Sequence, residues 1–184
     1  PAPRKMRWSD VPTPFMRPVS WLVALLDKDI IPVEVAGVMS GRTTYGHRFL
    51  SPKAHDFKDA KDYAKTLETL SIIADPKVRE QRTLEAAQAS AARAGFSTES
   101  NTALLEDISH IVEYPVAILG NFDQSYLELP EEVLATTMIH HQRFFPTRDK
   151  NGKLADLFVA DGSHPAAKGN ALTAKVFADA LGAR

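Results

Sequence analysis

Residues 143–160 read RFFPTRDKNGKLADLFVA, and this stretch decides the fold class. Two runs of strand-forming residues flank the dipeptide Asn151-Gly152. Asn-Gly tolerates the positive φ angles of the tight turns that join antiparallel strands. The stretch therefore predicts a hairpin with strands at residues 143–148 and 153–160.

Two segments near the start of the chain predict a second hairpin. Residues 21–26 and 30–38 are apolar and partly β-branched, and the charged tripeptide Asp27-Lys28-Asp29 separates them. Such a pattern is typical of two strands joined by a tight turn. Because Pro32 lacks a backbone N–H, the second strand is expected to begin at a sheet edge.

Apolar residues spaced by three and four predict helices between and after these hairpins. Asp75 can cap one helix, which Pro76 opens and Gly95 closes. Another ends near Pro115 and precedes a short strand at residues 116–119. The positions that define the first, third and last helices are Phe57, Ala60, Tyr63, Leu67 and Leu70; Leu104, Leu105, Ile108 and Val112; and Leu172, Val176, Phe177, Ala180 and Leu181.

A further helix is predicted to open at Pro130. Proline suits the first position of a helix, and the two glutamates that follow it lie where the helix dipole favours negative charge. Helical spacing gives the buried face as Val133 or Leu134, then Thr137, Met138 and His141.

These elements together predict an α+β fold, with a mixed sheet containing β-hairpins and about five helices. Residues 1–20 hold five prolines and several basic residues, which predicts an extended basic arm rather than an element of secondary structure. Residues 21–161 are expected to form the core, as one domain or as two lobes. Residues 162–184 are expected to form a loop and the last helix.

Composition bounds the function without identifying it. The chain has 184 residues, a formal net charge of −1 and no cysteine, which excludes disulfides, thiol catalysis and cysteine-bound zinc within it and favours a cytoplasmic location. Its longest apolar run, at residues 19–26, is too short to cross a membrane. Basic residues concentrate at 4–17, 42–53 and 143–153, whereas residues 94–142 contain no lysine or arginine. If the fold brings these three stretches together, they form a basic face opposite an acidic one.

Motifs that would carry chemistry fail at the residues that matter. Residues 41–48 have the glycine spacing of a phosphate-binding loop, but His47 and Arg48 stand where the loop needs lysine and a hydroxyl, so a turn is expected instead. His140 and His141 are neighbours on a helix and cannot face one metal ion. His55-Asp56 is isolated, and no Gly-x-Ser-x-Gly motif occurs. We therefore predict no catalytic and no metal-binding residues.

Three blocks of sequence together resemble the β subunits of bacterial heterotetrameric glycyl-tRNA synthetases. They lie within residues 6–21, 41–50 and 104–146, and contain the strings FMRPVSW, GRTTYGHRFL and HQRFFP. The resemblance implies a fragment of the N-terminal half of that subunit, with a fold related to the central domain of the phenylalanyl-tRNA synthetase β subunit. It weakens after Gly169-Asn170, where Ala171 replaces the usual glutamate.

The resemblance also implies a function. In this family the α subunit holds the active site that uses ATP, Mg²⁺ and glycine, while the β subunit recognises tRNA. The fragment is therefore expected to lack a cofactor and to support glycine attachment to tRNA(Gly) by tRNA binding and scaffolding. Its expected partners are the α subunit, a second β subunit and tRNA(Gly). The candidate tRNA or scaffold contacts are Arg17, Arg42, His47, Arg48 and Arg143.

Two other functions remain open at this point. One is an editing-like hydrolytic domain acting on aminoacyl-tRNA, which would need a pocket with a positioned water. The other is a purely structural module that holds subunits together. An exposed apolar patch would favour the structural module, and a concave basic surface would favour tRNA binding.

Overall fold

The computed structural model describes residues 5–8, 10–15 and 18–160. The chain divides into two compact units, Pro1–Ala74 (unit 1) and Asp75–Arg184 (unit 2). The predicted C-terminal helix lies outside the described residues, and the predicted domain boundaries stay predictions. No helix in the described part of the chain combines the length and hydrophobicity needed to cross a bilayer.

Unit 1 begins with a hairpin that the sequence interpretation missed. Strands β1 (Met6–Trp8) and β2 (Val11–Phe15) pair antiparallel, so the expectation of an arm without secondary structure is wrong here. Pro12 and Pro14 alternate with the paired position Val11. In an antiparallel pair every second residue points its N–H away from the partner, so prolines at alternate positions cost no ladder bond.

The expected hairpin at residues 21–38 is present but divided into more strands. It contains β3 (Leu22–Val23), β4 (Leu25–Leu26), β5 (Asp29–Ile30), β6 (Glu34–Val35) and β7 (Val38–Gly41). Strands β4 and β5 pair around Asp27, which has a positive φ of 51°. A second reversal at Ala36 and Gly37, with φ of 52° and 79°, pairs β6 with β7. β3 runs parallel to β7, which makes this small sheet mixed.

The rest of unit 1 comprises one strand pair and one helix. Strand β8 (Thr43–Tyr45) pairs antiparallel with β9 (Ala54–Asp56). A 3-10 turn at Ala60–Asp62 leads into α1 (Tyr63–Thr69), which confirms the first predicted helix. The backbone N–H of Lys61 bonds Asp59 and holds the pKa of that carboxyl below its usual value. This cap is therefore present at neutral pH and is lost as the pH falls through the lowered pKa.

Unit 2 opens with two helices, and the first of them starts where the sequence predicts. In α2 (Pro76–Arg93), Asp75 accepts from the Lys77 N–H and Pro76 takes the first position, as predicted. Gly95, with a φ of 83°, follows the helix end. Asn101 caps α3 (Thr102–Ile111) through a 2.9 Å bond from the Leu104 N–H.

A three-stranded antiparallel sheet forms the centre of unit 2. Its order is β10–β12–β11, with β10 at Ile118–Asn121, β11 at Phe145–Arg148 and β12 at Leu154–Ala160. The predicted hairpin between β11 and β12 is confirmed, and Gly152 supplies its positive φ of 79°. β10 begins at Ile118, two residues later than the predicted strand start at residue 116.

Alternating side chains of this sheet build two hydrophobic cores. Phe145 and Val159 pack with Ala87, Leu104 and Ile108 of α2 and α3. The neighbouring residues Phe144, Phe158 and Ala160 belong to a second core with Met138. A period-two alternation is expected when both faces of a sheet are covered. The predicted α+β class is thus confirmed. The predicted structural similarity to the central domain of the phenylalanyl-tRNA synthetase β subunit stays a prediction.

The helix after Pro130 is α-helical only at its start. It consists of α4 (Glu131–Thr136) followed by a π-helical segment at Thr137–Gln142. Met138 is 6% exposed and Leu134 is half-buried, but Val133, Thr137 and His141 are exposed. The predicted burial of Thr137 and His141 is therefore wrong. Thr137 lies four residues after the exposed Val133 and shares its face, and the wider π turn carries His141 off the face that α-helical spacing predicts.

We expect Met138→Ala to lower the free energy of unfolding by about 2–5 kcal/mol, because it leaves a cavity in the second core of unit 2. Leu134→Ala should cost less, since Leu134 is only half-buried. Val133→Ala is the matched control on the same helix, with Val133 51% exposed, and should stay within about 0.5 kcal/mol of the parent. Urea denaturation measures the free energy of unfolding of all three variants, and an equal decrease in each would contradict the assignment of the buried helix face.

We also expect Gly120→Ala to destabilise unit 2 by about 1–3 kcal/mol. A Cβ at Gly120 would lie 2.5 Å from Cζ of Phe158, whose ring is stacked on Phe144 and cannot easily move. Gly41→Ala is the control, because a Cβ there meets no atom within 4 Å. Thermal melting followed by circular dichroism tests the pair, and a melting temperature unchanged by Gly120→Ala would refute the close contact.

Candidate RNA interface

The structure places the five candidate contact residues in different surroundings. Arg42, His47 and Arg48 lie in unit 1, Arg143 lies in unit 2, and Arg17 is outside the described residues. Of the three basic stretches, residues 4–17 are described only in part, 42–53 belong to unit 1 and 143–153 to unit 2.

Arg42 is held by the backbone of unit 1. Its guanidinium donates to the carbonyl oxygens of Phe57 at 3.2 Å and Lys28 at 3.0 Å. The Phe57 N–H in turn donates to the Arg42 carbonyl at 2.9 Å. Arg42 thus joins the β4–β5 turn to the segment that follows β9, which is a scaffolding contact.

His47 organises a tight turn at residues 46–51. Its Nδ1 accepts from the backbone N–H groups of Phe49 and Leu50, both at 3.3 Å. The His47 N–H donates to the Leu70 carbonyl at 2.9 Å, and its carbonyl accepts from Ser51 at 2.9 Å. The turn is therefore fixed to the end of α1.

Gly46 is required by the protein's own backbone. A Cβ at Gly46 would lie 2.5 Å from the Ser51 carbonyl oxygen and 2.8 Å from that of Leu70. The glycine spacing in residues 41–48 therefore reflects close packing of the turn, in agreement with the sequence interpretation that rejects a phosphate-binding loop.

Arg48 differs from Arg42, His47 and Arg143 because it is exposed and has no partner among the described residues. None of the described residues forms a hydrogen bond or an ion pair with it. It lines an open cleft together with Ser20, Trp21, Tyr45, Gly46 and Pro52, a set that contains no acidic residue. The cation is therefore available to an anionic ligand.

Two aromatic residues of this cleft were not among the candidates predicted from the sequence. Trp21 is 47% and Tyr45 41% exposed, and their rings meet edge to face with centroids 4.9 Å apart. Phe49, in the turn beside Arg48, is 81% exposed. All three occur in the blocks that carry the family resemblance, but their exposure cannot be deduced from an apolar pattern, which favours burial.

Arg143 is tied into unit 2. It has a left-handed φ of 60°, and its guanidinium donates to the His140 carbonyl. Its Nε lies 3.0 Å from Oδ2 of Asp107 in α3, an ion-pair distance, although this buried N–H is not aligned as a hydrogen bond. These contacts fasten the π-helical segment to α3.

The histidines do not assemble a metal site in the described part of the chain. No three histidine, aspartate or glutamate side chains converge there with the geometry of a metal centre. His55 and Asp56 line an open polar cleft with Lys58, Asp62 and Lys65, where Asp56 accepts from the Thr43 hydroxyl at 2.6 Å. This mixture of charges does not single out a ligand.

Curated relatives match most of this chain. A protein of Bacillus subtilis strain 168 described as a glycine–tRNA ligase beta subunit is 42% identical over 157 residues, which is 85% of this chain and 23% of the relative. A protein of Myxococcus xanthus with the same description is 43% identical over 162 residues, 88% of this chain and 23% of the relative. The chain thus spans about a quarter of the length of these relatives.

The family model described as glycyl-tRNA synthetase beta subunit matches residues 1–175. This range includes all of unit 1, with its turn at residues 46–51, and unit 2 as far as residue 175. With the relatives above, the match extends the resemblance of three sequence blocks to nearly the whole chain, which belongs to the glycyl-tRNA synthetase β-subunit family.

Proposed function

We propose that this chain contributes tRNA binding and subunit scaffolding to the ATP-dependent attachment of glycine to tRNA(Gly). The observation that carries the tRNA part is Arg48, an exposed cation that no described residue pairs with, beside exposed aromatic rings in a chain of this family. Phosphate contacts dominate the affinity of proteins for RNA, and an arginine free of internal partners can make them without breaking the fold.

The other three candidates in the described part of the chain suit the scaffold better than the RNA. Arg42, His47 and Arg143 each spend hydrogen bonds on backbone groups of their own unit. A phosphate that recruited any of them would have to compensate for those lost bonds. We therefore assign the tRNA contact to Arg48 and the positioning of its turn to His47.

Subunit scaffolding has separate support in unit 1. Large apolar side chains are exposed along β4 to β7, where a free domain would usually bury them. They are Leu26, Ile30, Ile31, Val33, Val35 and Met39. The proposed partners are the α subunit and a second β subunit, in a cytoplasmic heterotetramer in which the α subunit binds ATP, Mg²⁺ and glycine. The editing alternative gains no support from the clefts in the described part of the chain.

The isolated chain should not activate glycine, because the family resemblance assigns that chemistry to the α subunit. The measurement is glycine-dependent exchange of pyrophosphate into ATP by the purified 184-residue chain. Adding the α subunit should not restore full tRNA charging, since this chain spans only 23% of its relatives. Pyrophosphate exchange by the chain alone, persisting after repurification, would contradict the assignment of glycine activation to the α subunit.

Arg48→Ala should weaken tRNA binding about fivefold, or about 1 kcal/mol, and leave the melting temperature unchanged. Filter binding at low salt measures the first quantity, and circular dichroism the second. Arg42→Ala should lower the melting temperature and leave the tRNA affinity unchanged, because it removes two hydrogen bonds to backbone carbonyls. Arg93→Ala removes an exposed cation from α2 and is the matched charge control. It should weaken tRNA binding less than Arg48→Ala does, and lower the melting temperature less than Arg42→Ala does. Loss of stability without loss of affinity in Arg48→Ala would show that this arginine is structural.

A further inference from the structure

We infer that the cleft formed by Trp21, Tyr45 and Arg48 binds an unpaired, single-stranded segment of RNA by stacking its bases on the two rings. The inference rests on the proposed tRNA function and goes beyond it by specifying which kind of RNA structure the site takes. It assigns a binding role to Trp21 and Tyr45, which the charge pattern did not identify.

The geometry of the two rings favours a stacking site. Trp21 and Tyr45 meet at 62°, with the edge of one ring against the face of the other. In such a pair one ring keeps both faces, and the other keeps one face, clear of its partner. Both residues also remain about half exposed, so ring surface is open to a planar ligand. Nucleobases in single strands stack on aromatic side chains in this way.

The charge of the cleft suits the sugar-phosphate backbone that accompanies such bases. Arg48 is the cation of the cleft, and none of its six lining residues is acidic. The surrounding sequence, residues 41–53, also has no aspartate or glutamate. A phosphate could therefore reach Arg48 without repulsion from the cleft wall.

The turn that carries Arg48 is held in place before any ligand binds. Its neighbours on either side are fixed by the His47 N–H bond to Leu70 and by the bonds from Phe49 and Leu50 to the His47 ring. Close packing at Gly46 adds a steric constraint. A fixed turn reduces the ordering cost of binding.

A single strand fits this site better than a duplex. Bases in an A-form duplex are stacked on each other and hide their faces, so two rings would gain little there. Duplex binding instead relies on several cations that follow the phosphates, whereas the cleft offers one. The rings add affinity only where bases are unpaired.

Tryptophan fluorescence tests the inference on the full 184-residue chain. The chain has two tryptophans, so Trp8→Phe leaves Trp21 as the sole reporter. The probe is an unstructured RNA strand of about 16 nucleotides. The same strand annealed to its complement and inorganic polyphosphate control for charge without accessible bases. We expect the single strand to quench Trp21, and the duplex and polyphosphate to leave it nearly unchanged.

Variants separate this inference from the proposed function. In the parent background, Trp21→Leu should weaken single-strand binding about tenfold by fluorescence anisotropy of labelled RNA, whereas Trp21→Phe, which keeps a ring, should lose less. Arg93→Ala should have little effect. Circular dichroism verifies that each variant is folded, and the quenching experiment does not depend on the Trp21 variants.

Each outcome decides between the two proposals. Quenching by the single strand alone supports the inference. Equal quenching by duplex or polyphosphate would overturn it in favour of plain charge attraction. If tRNA binding falls in Arg48→Ala but no RNA quenches Trp21, the stacking role is wrong and the proposed function stands. If no RNA binds at any salt concentration, both fail, and a protein partner is the better occupant of the cleft.

Discussion

The central strand β12 is the element on which unit 2 depends. It pairs on one edge with β10 and on the other with β11, so its backbone groups have partners on both sides, and side chains from both of its faces enter hydrophobic cores. Val159 and Ala160 consequently point into different cores. Gly120 of β10 lies opposite Phe158 of β12 and leaves room for the Phe158 ring to stack on Phe144. The string HQRFFP follows the same logic, since Arg143 turns the chain and Phe144 and Phe145 enter opposite cores.

In unit 1 the same demand for satisfied backbone groups is met by side chains. Its strands are only two to four residues long from β3 to β9, too short to pair all their peptide groups. Arg42 donates to two carbonyls and His47 accepts from two N–H groups at such places. These hydrogen bonds are exposed or only part-buried, so each stabilises the unit by about 0.5–1.5 kcal/mol. This explains why basic residues near a candidate ligand surface need not touch the ligand.

The sequence was informative where local chemistry determines the structure. Asp75-Pro76 predicted a helix start, and Asn151-Gly152 predicted a hairpin, because caps and turns depend on a few adjacent residues. The sequence pattern gave wrong predictions where the structure depends on the exact helix geometry or on the pairing of strands. The π turn after α4 displaced His141 from the expected face, and the reversal at Ala36-Gly37 was hidden inside an apolar run. The candidate site was predicted only in part, since charge identified Arg48 but not its aromatic neighbours.

The near-zero net charge of the chain limits how its surface can bind RNA. Counterion release contributes a logarithmic slope of about 0.7 for each phosphate neutralised on a single strand. In the proposed site Arg48 is the one cation among the cleft residues, so one phosphate is neutralised and a fourfold rise in salt should weaken binding only about threefold. Affinity beyond this modest electrostatic part must come from uncharged contacts. Stacking supplies about 1–3 kcal/mol for each base, so two rings in the cleft can contribute more than its single arginine.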